Sequence, residues 1–323
     1  MVESAEGTAA VEAASQSIAR VRSAVNGFIR GKSDVVDLAI TCLLAQGHLL
    51  IEDVPGLGKT SLARALAASL GLPWVRIQFT PDLLPSDVTG VSVFHQGTST
   101  FAFHPGPVFA SVVLADEINR ASPRTQSALL EAMEERTVSV DGVTHALPAP
   151  FMVMATQNPI EMAGTYPLPE AQLDRFLMST AIGYPSHDAE VEILTAHHAG
   201  SSVGSMQPAV PASAVPSLIE TAARVAVTAG VVDYIVRLVE ATRSAPGVLL
   251  GASPRGSIGL LRASRAHALI AGRGFVMPGD VQALAGPVLA HRLILDTDSG
   301  AHPVGAAEVI RRVVERVPAP QST

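Results

Sequence analysis

Lys59 and Thr60 close the loop Asp53-Val54-Pro55-Gly56-Leu57-Gly58, and Ser61 follows them. Residues of these types at this spacing suit a polyphosphate. Backbone N–H groups of such a loop converge on one concavity, and a helix opening at Lys59 adds the positive end of its dipole. Gly56 and Gly58 let the backbone approach phosphate oxygens where a Cβ would intrude. The Lys59 ammonium would reach the terminal phosphates, and the Thr60 hydroxyl would ligate a magnesium ion that bridges them. The usual pattern, G-x-x-x-x-G-K-[ST], opens on glycine, whereas Asp53 holds that place here. Aspartate tolerates turn conformations, so the loop is still expected to form. A second triplet, Gly31-Lys32-Ser33, has Asn26 where the first glycine belongs and follows a helical segment, so it is set aside.

A phosphate loop needs carboxylates for the metal and for the attacking water. Ser111-Val112-Val113-Leu114-Ala115 is an apolar, strand-like run that ends in Asp116-Glu117. Asp116 would hold magnesium, directly or through water, and Glu117 would polarise the water that attacks the terminal phosphate. An apolar strand closing in a plain acidic turn is the alternative, and the loop upstream weighs against it.

The elements that must position these residues follow from periodicity. Leu49-Leu50-Ile51 reads as the strand before the loop, and Leu62, Leu66 and Leu70 recur at helical spacing after it. Trp74 to Phe79 alternates as a second strand, Phe151 to Thr156 is a continuous apolar strand, and Phe176 to Ile182 supplies a fifth. Two hairpins are expected: Val91 and Val93 with Phe101 and Phe103 around Gln96-Gly97-Thr98, and Thr137–Val140 with Val143–Ala146 around Asp141-Gly142. A helix carries Gln126, Leu129, Leu130 and Met133. Before the loop, residues 1–14 read as a frayed start, and Ile18, Val21, Val25 and Phe28 form one helical stripe. A further helix runs from an N-cap at Ser33 to about Ala45.

Beyond Pro185 the character changes. A helix to Ala199 and a Pro/Ala/Ser-rich connection from Ser205 to Pro216 precede a region read wholly as helices. Its stripes are Val232, Ile235, Val236 and Val239, then Ile258, Leu261, Arg265 and Leu269. The expected division is a flexible start (1–16), an α/β nucleotide-binding domain (17–185), a smaller all-α lid (186–317) and a flexible tail (318–323). Ser253 as N-cap with Pro254 at the first helical position puts Arg255 in a first turn, where the helix dipole disfavours a cation. That local cost suggests a purpose.

Composition narrows the classes. The 323 residues carry a formal net charge of −7, which argues against a general nucleic-acid or anionic-membrane binder. Mean hydropathy is +0.33, yet no apolar run reaches the roughly 20 residues needed to span a bilayer. The single cysteine, Cys42, lies among Leu38, Leu43 and Leu44 and is expected to be buried and inert. Residues 1–15 contain Glu3, Glu6 and Glu12 without a basic-then-apolar pattern, so no signal peptide and a cytoplasmic location are expected. His197-His198 has no acid or cysteine set for a metal, and Arg262, Arg265 and Arg273 read as a subunit contact or solvated face.

Four segments carry a resemblance to a known family: Asp116-Glu117-Ile118-Asn119-Arg120, Gln126-Ser127-Ala128-Leu129-Leu130-Glu131-Ala132-Met133-Glu134-Glu135, Ala155-Thr156-Gln157-Asn158-Pro159, and Leu168-Pro169-Glu170-Ala171-Gln172-Leu173-Asp174-Arg175-Phe176. Over residues 17–310 the chain resembles the MoxR-type AAA+ ATPases, with the magnesium-chelatase ATPase subunits as a sister group. The resemblance implies a P-loop AAA+ core, a five-stranded parallel sheet with inserted β-hairpins, and a helical lid. It implies a Mg²⁺-dependent ATPase that assembles as a ring, hexameric in the family, and works on a client protein as a chaperone or in metal insertion, often with a von Willebrand A domain partner. Asn158 would be sensor 1, and Arg175 the finger that reaches the neighbouring subunit's ATP, with a helix-capping salt bridge as its alternative. Arg255 would be sensor 2, acting on the ATP of its own subunit. Ile29, Arg30 and Gly31 would line the adenine pocket, the hairpins would project into the central pore, and hydrolysis would shift lid against core. Arg120 and Arg124 would be secondary candidates for contact with the neighbour. Rival readings are a nucleotide-gated adaptor without turnover, a chelatase-type motor subunit and a DNA-remodelling motor, the last disfavoured by the acidic balance.

Overall fold

The computed structural model describes residues 2–97, 99–158, 164–198, 206–296 and 305–320. Helices α1 (Val2–Asn26) and α2 (Ser33–Leu44) lead into strand β1 (Leu49–Glu52), the phosphate loop and α3 (Lys59–Ser69). Strand β2 (Trp74–Gln78) and the short α4 (Pro85–Thr89) precede a hairpin of β3 (Gly90–His95) and β4 (Thr100–Pro105). Strand β5 (Val112–Asp116), α5 (Pro123–Glu135), a second hairpin of β6 (Thr137–Val140) and β7 (Val143–Ala146), and β8 (Met152–Gln157) follow. The short α6 (Glu170–Leu173) and β9 (Met178–Thr180) complete the α/β part.

The five-stranded sheet has the order β2-β5-β8-β1-β9, and every pairing in it is parallel. Parallel strands buried on both faces need unbroken apolar runs, and β5 supplies one: Val112 and Leu114 face one cluster, Val113 and Ala115 the other. The first layer holds α1, α2 and α3 through Ile18, Val36, Leu62 and Leu66. The second holds α5 through Leu129, Leu130 and Met133. Burying both faces leaves the carboxyl ends of β1, β5 and β8 opening on one crevice, where open parallel sheets bind ligands. Asp141 (φ 51°) and Gly142 (φ 78°) are both left-handed, as a type I′ turn requires.

Beyond β9, in the region expected to form the lid, come α7 (His187–His198), α8 (Val215–Arg224), α9 (Ala229–Arg243), β10 (Val248–Leu250), α10 (Pro254–Ile270), α11 (Pro278–Leu289), β11 (Ile294–Leu295) and α12 (Ala306–Arg316). Tyr234, Leu260 and Leu284 of the lid join the same hydrophobic cluster as Ile18 and Val36. Arg292 fastens this layer to the chain leaving α6. Its guanidinium donates to Asp174 Oδ1 at 2.7 Å and to the carbonyls of Phe176 at 2.7 Å and Leu177 at 3.3 Å.

Several local expectations are corrected. The start is helical from Val2, because Ala14, Ile18, Val21 and Val25 pack on the core and extend one helix backward through the Ala/Glu segment. Lys32, not Ser33, is the N-cap of α2, without a side-chain cap bond. The buried stripe of α9 is Val231, Tyr234, Ile235, Leu238 and Val239, with Val232 and Val236 exposed. In α10 it is Leu260, Ala263 and Leu269, whereas Ile258 faces outward and Leu261 and Arg265 are half-buried. Small residues carry that interface, and a pattern weighted to large side chains misses them. The lid is not wholly helical, since β10 and β11 pair antiparallel. Thr98, Pro159, Ala199 and Ser205 lie outside the described residues, as does the side chain of His197.

Candidate nucleotide site

The loop leaving β1 turns on Gly56 and Gly58, each at φ 89°. A Cβ on either would meet no protein atom within 4 Å, so the glycines serve the left-handed backbone and leave open space in front of it. Lys59, nearly buried at 9 % exposure, folds its ammonium back onto the carbonyls of Asp53 (2.7 Å) and Val54 (3.1 Å). Burial lowers the Lys59 pKa, and Asp116, Asp53 and Glu117 oppose that shift by favouring the charged form. Asp53 does more than replace a glycine. Its Oδ2 accepts the N–H groups of Ile182 (2.8 Å) and Gly183 (2.6 Å), and its Oδ1 accepts that of Val54 (2.9 Å). The aspartate therefore ties the phosphate loop to the segment that leaves β9 for the lid.

Two cavities flank the loop. One, of about 220 Å³, is lined by Pro55, Gly56, Gly58, Lys59, Thr60, Arg76, Asp116, Glu117, Thr156 and Asn158. The other, of about 290 Å³, lies behind it and is lined by Phe28, Ile29, Arg30, Leu57, Ser61 and Ile182 among others. The first has carboxylates and a lysine, as charged phosphates and a cation require. The second is largely apolar, as a planar base prefers.

At the end of β5, Asp116 is buried and doubly held. Thr156 donates its hydroxyl to Oδ1 at 2.6 Å, and Arg76 reaches Oδ2 from Nη2 at 2.6 Å and from Nε at 3.0 Å. The same Thr156 hydroxyl accepts the Glu117 N–H at 2.9 Å. That bond steadies a left-handed backbone at Glu117 (φ 56°, ψ 49°), a conformation of order 1–3 kcal/mol for a residue with a side chain. Gln78 donates to Glu117 Oε2 at 2.7 Å, and Arg120 pairs with the same oxygen at 3.2 Å. Hydroxyl and carboxylate oxygens from Thr60 and Asp116 on one cavity form a donor set suited to a hard divalent cation.

Comparison with known proteins agrees with this geometry. Residues 48–178 match the model described as "ATPase family associated with various cellular activities (AAA)", and residues 240–313 match the AAA lid domain. The uncharacterized YeaC protein of Bacillus subtilis is 48% identical over 92% of this chain and 92% of its own length. Chaperone MoxR1 of Mycobacterium tuberculosis is 44% identical over 92% of this chain and 81% of its own. Protein MoxR of Paracoccus denitrificans is 33% identical over 84% and 87%. The chain belongs to the MoxR family of AAA+ ATPases. A crystal structure of a candidate ATPase from Cytophaga hutchinsonii superposes on this MoxR-family fold with a TM-score of 0.91 at 35% identity, over 99% of each chain.

In this MoxR-family chain Lys59, Thr60, Asp116, Glu117 and Asn158 share one cavity, with Asn158 directly after β8 and between β5 and β1. Ile29 and Ser61 line the apolar cavity. Gly31 does not. At φ 67° it turns its α-carbon toward α7, where a Cβ would stand 2.8 Å from that of Ala189.

Arg255 departs furthest from expectation. It does not line the cavity of its own phosphate loop; it lines a separate cleft of about 420 Å³ together with Arg175, His48, Glu134 and Asp174. The two clefts share no lining residue. The lid is fastened by Arg292 beside Arg175, which carries the first turn of α10 to that edge and away from the same chain's Lys59. Glu134 bridges the two cations, with Oε1 at 2.5 Å from Arg255 and Oε2 at 3.2 Å from Arg175.

Sequence reasoning passed over Arg76, Gln78 and Thr156. The available signal was their position: Gln78 and Thr156 are polar residues near the carboxyl ends of the strands adjoining β5, and Arg76 is a charged residue in the middle of one of them. Arg120 pairs with Glu117 of its own chain. Cys42 is fully buried, and burial raises its pKa far above that of a reactive thiol. Among the described residues no group of three or more His, Cys, Asp or Glu could hold a metal ion, and no helix is long and apolar enough to cross a membrane.

Proposed function

We propose that this chain hydrolyses ATP with Mg²⁺ in the cavity between the phosphate loop and β5, inside a ring whose next subunit supplies both Arg175 and Arg255. One observation carries the reading: the catalytic carboxylates and the two arginines line different clefts of the same chain. Each site is then completed by a second copy.

The residues divide the work. Backbone N–H groups of the left-handed loop and the start of α3 receive the β- and γ-phosphates, and Lys59 exchanges its two loop carbonyls for phosphate oxygens. Thr60 and Asp116 would hold Mg²⁺, which would supply neutralisation of the phosphate charge. Binding there competes with the Arg76 pair on Asp116. Glu117 orients the attacking water and takes its proton, with Gln78 and the Thr156-bonded backbone fixing the carboxylate. Asn158 hydrogen-bonds the water or the γ-phosphate. Guanidiniums from the neighbour stabilise charge on the transferring group, an effect worth about 10³–10⁵ in rate where an arginine finger acts.

Work on a client protein fits the exposed hairpins. Phe94 and Phe101 meet across the first at 5.1 Å with their rings tilted by 53° and both residues half or more exposed, and Phe103 of that hairpin stacks on His145 of the second at 3.9 Å. Chaperone-type remodelling is the reading that the name of the M. tuberculosis relative favours.

Mixing tests the shared site. Lys59→Ala protein binds no nucleotide and Arg175→Ala protein presents no finger, so each alone is inactive. An equimolar mixture recovers phosphate release, because mixed interfaces pair an intact loop with an intact arginine. A mixture as inactive as its parts, with both proteins assembling normally, refutes delivery from a neighbour. Glu117→Gln is expected to keep ATP binding and lose turnover.

A further inference from the structure

The proposed delivery of Arg175 and Arg255 to a neighbour's nucleotide leaves a question that the geometry answers. Two long cationic side chains at one cleft repel each other and carry large rotamer freedom, so something must hold their ends together before phosphate arrives. We infer that Glu134 is that element: a positioning residue whose carboxylate gathers both guanidiniums into one preset pair and hands them to the incoming γ-phosphate. The inference rests on the proposed function and goes beyond it.

The backbones of the two arginines are already pinned. Asp174, the residue before Arg175, accepts Arg292 on Oδ1 at 2.7 Å and the Ser253 hydroxyl on Oδ2 at 3.1 Å. Ser253 in turn caps the helix that carries Arg255, accepting the Arg255 N–H at 3.2 Å. One carboxylate thus fixes where both chains start, and the side-chain ends remain to be aimed.

Glu134 aims them. It sits in the last turn of α5, and its two oxygens face one guanidinium each. The nearby Arg136 and Arg262 are spent on backbone carbonyls, Arg136 on Phe151 and Gln46, Arg262 on Ala45 and Gln46. They add positive potential to the cleft without competing for the glutamate. A carboxylate offers two guanidiniums the same paired acceptor oxygens that a phosphoryl group offers, so the pair formed on Glu134 has the spacing a phosphate needs. Side-chain exposures of 29% for Arg175, 34% for Glu134 and 53% for Arg255 leave the pairs solvated and weak enough to exchange. The more highly charged phosphate wins that exchange.

The test uses the assembled full-length protein. Glu134→Ala is expected to lower kcat by about 10- to 100-fold, the scale of misplacing a catalytic group by an ångström, while KM for ATP moves less than about twofold. Glu134→Gln, isosteric but with one acceptor oxygen, is expected to fall less, and Glu134→Asp to regain part of the loss. The deciding measurement is a cycle. In the Arg175→Ala/Arg255→Ala background, followed by single turnover, Glu134→Ala should change the residual rate by less than about twofold, because its effect runs through the missing arginines. An equal loss in both backgrounds, or a rate that rises when Glu134 is removed, overturns the positioning role. If the arginine variants alone match the unmodified kcat while Lys59→Ala is inactive, delivery from the neighbour fails and this inference fails with it.

Discussion

Restoring the glycine of the usual phosphate-loop pattern should damage this protein. Asp53→Gly removes the acceptor of two N–H groups from another segment, Ile182 and Gly183, besides the local one from Val54. Hydrogen bonds to an ionised acceptor contribute about 1.5–3 kcal/mol each, and halving that for partial solvent access leaves about 1.5–3 kcal/mol for the two long-range bonds. Added backbone freedom of glycine contributes about 0.5–1 kcal/mol more. Because these bonds hold the loop ready for phosphate, the loss should appear in binding: about 10- to 100-fold weaker titration of a fluorescent ATP analogue. Thermal unfolding should drop by about 5–10 °C, at roughly 2–4 °C per kcal/mol for a domain of this size. Asp53→Asn, which keeps one acceptor oxygen, should fall between. If Asp53→Gly binds the analogue within a factor of about two of the unmodified protein and melts at the same temperature, the tie from loop to lid is not what the aspartate supplies.

Three further outcomes follow from the same geometry. Gln78→Ala should lower kcat by about tenfold with KM for ATP unchanged, since it removes the shorter of the two bonds that hold Glu117 Oε2 and leaves only Arg120 on it, without touching the phosphate loop, and a change confined to KM would contradict it. Thr156→Val should lower stability by about 1–3 kcal/mol in urea titrations and reduce turnover, because Asp116 Oδ1 and the Glu117 N–H lose one shared hydroxyl; unaltered stability would refute the bridge. His48, which is buried, and His291, which is half-buried, stand beside Arg136 and Arg292 and have pKa values pushed down to about 3, chiefly by loss of solvation. Folded values below the unfolded 6.5 mean that stability is intact above pH 6.5 and is lost as pH falls toward 3. Unfolding free energy should therefore drop by about 2 kcal/mol per histidine between pH 7 and pH 5, and a flat profile across that window would refute the neutral assignment.

What could be read in the sequence was whatever local chemistry dictates. The phosphate loop, the Asp116-Glu117 strand end and the Asp141-Gly142 turn each depend on residues adjacent in the chain. Their positions followed from spacing alone. What could not be read depended on partners far away in sequence. Asp53 looked like a tolerated turn residue because its donors, the N–H groups of Ile182 and Gly183, follow the neighbouring strand β9 and lie 129 and 130 residues away in sequence. His48 looked like the residue before a strand, yet it accepts the Val153 N–H on Nδ1 and its Nε2 meets the Met133 carbonyl, joining β8 to α5 across the start of β1. The stripe of α10 escaped because its helix contact is made at small residues: a Cβ on Gly259 would already stand 3.2 Å from Leu177 and 3.5 Å from Val288, and alanines do the rest. Arg255 was assigned to its own nucleotide because a first-turn arginine says only that an anion is near, not whose anion it is.

If Arg255 serves the neighbour's nucleotide, as proposed, the motion open to each subunit is constrained. A lid that closed on its own nucleotide would have to swing relative to the sheet, and here the lid is fastened at the edge where it would open. The Arg292 side chain is 4% exposed and is committed to Asp174 and to the carbonyls of Phe176, Leu177 and Val288. Burial lowers its pKa, and Asp174 opposes that shift by favouring the charged form. Breaking a buried pair of this kind costs about 3–5 kcal/mol, because each partner is left charged and unpaired. Arg262 adds a second fastening through the carbonyls of Ala45 and Gln46. The contacts that exchange cheaply are the solvated ones on Glu134, and on the proposed reading those face the next subunit. Nucleotide state would then be felt first across the subunit boundary, with lid and sheet of one chain turning together as a body.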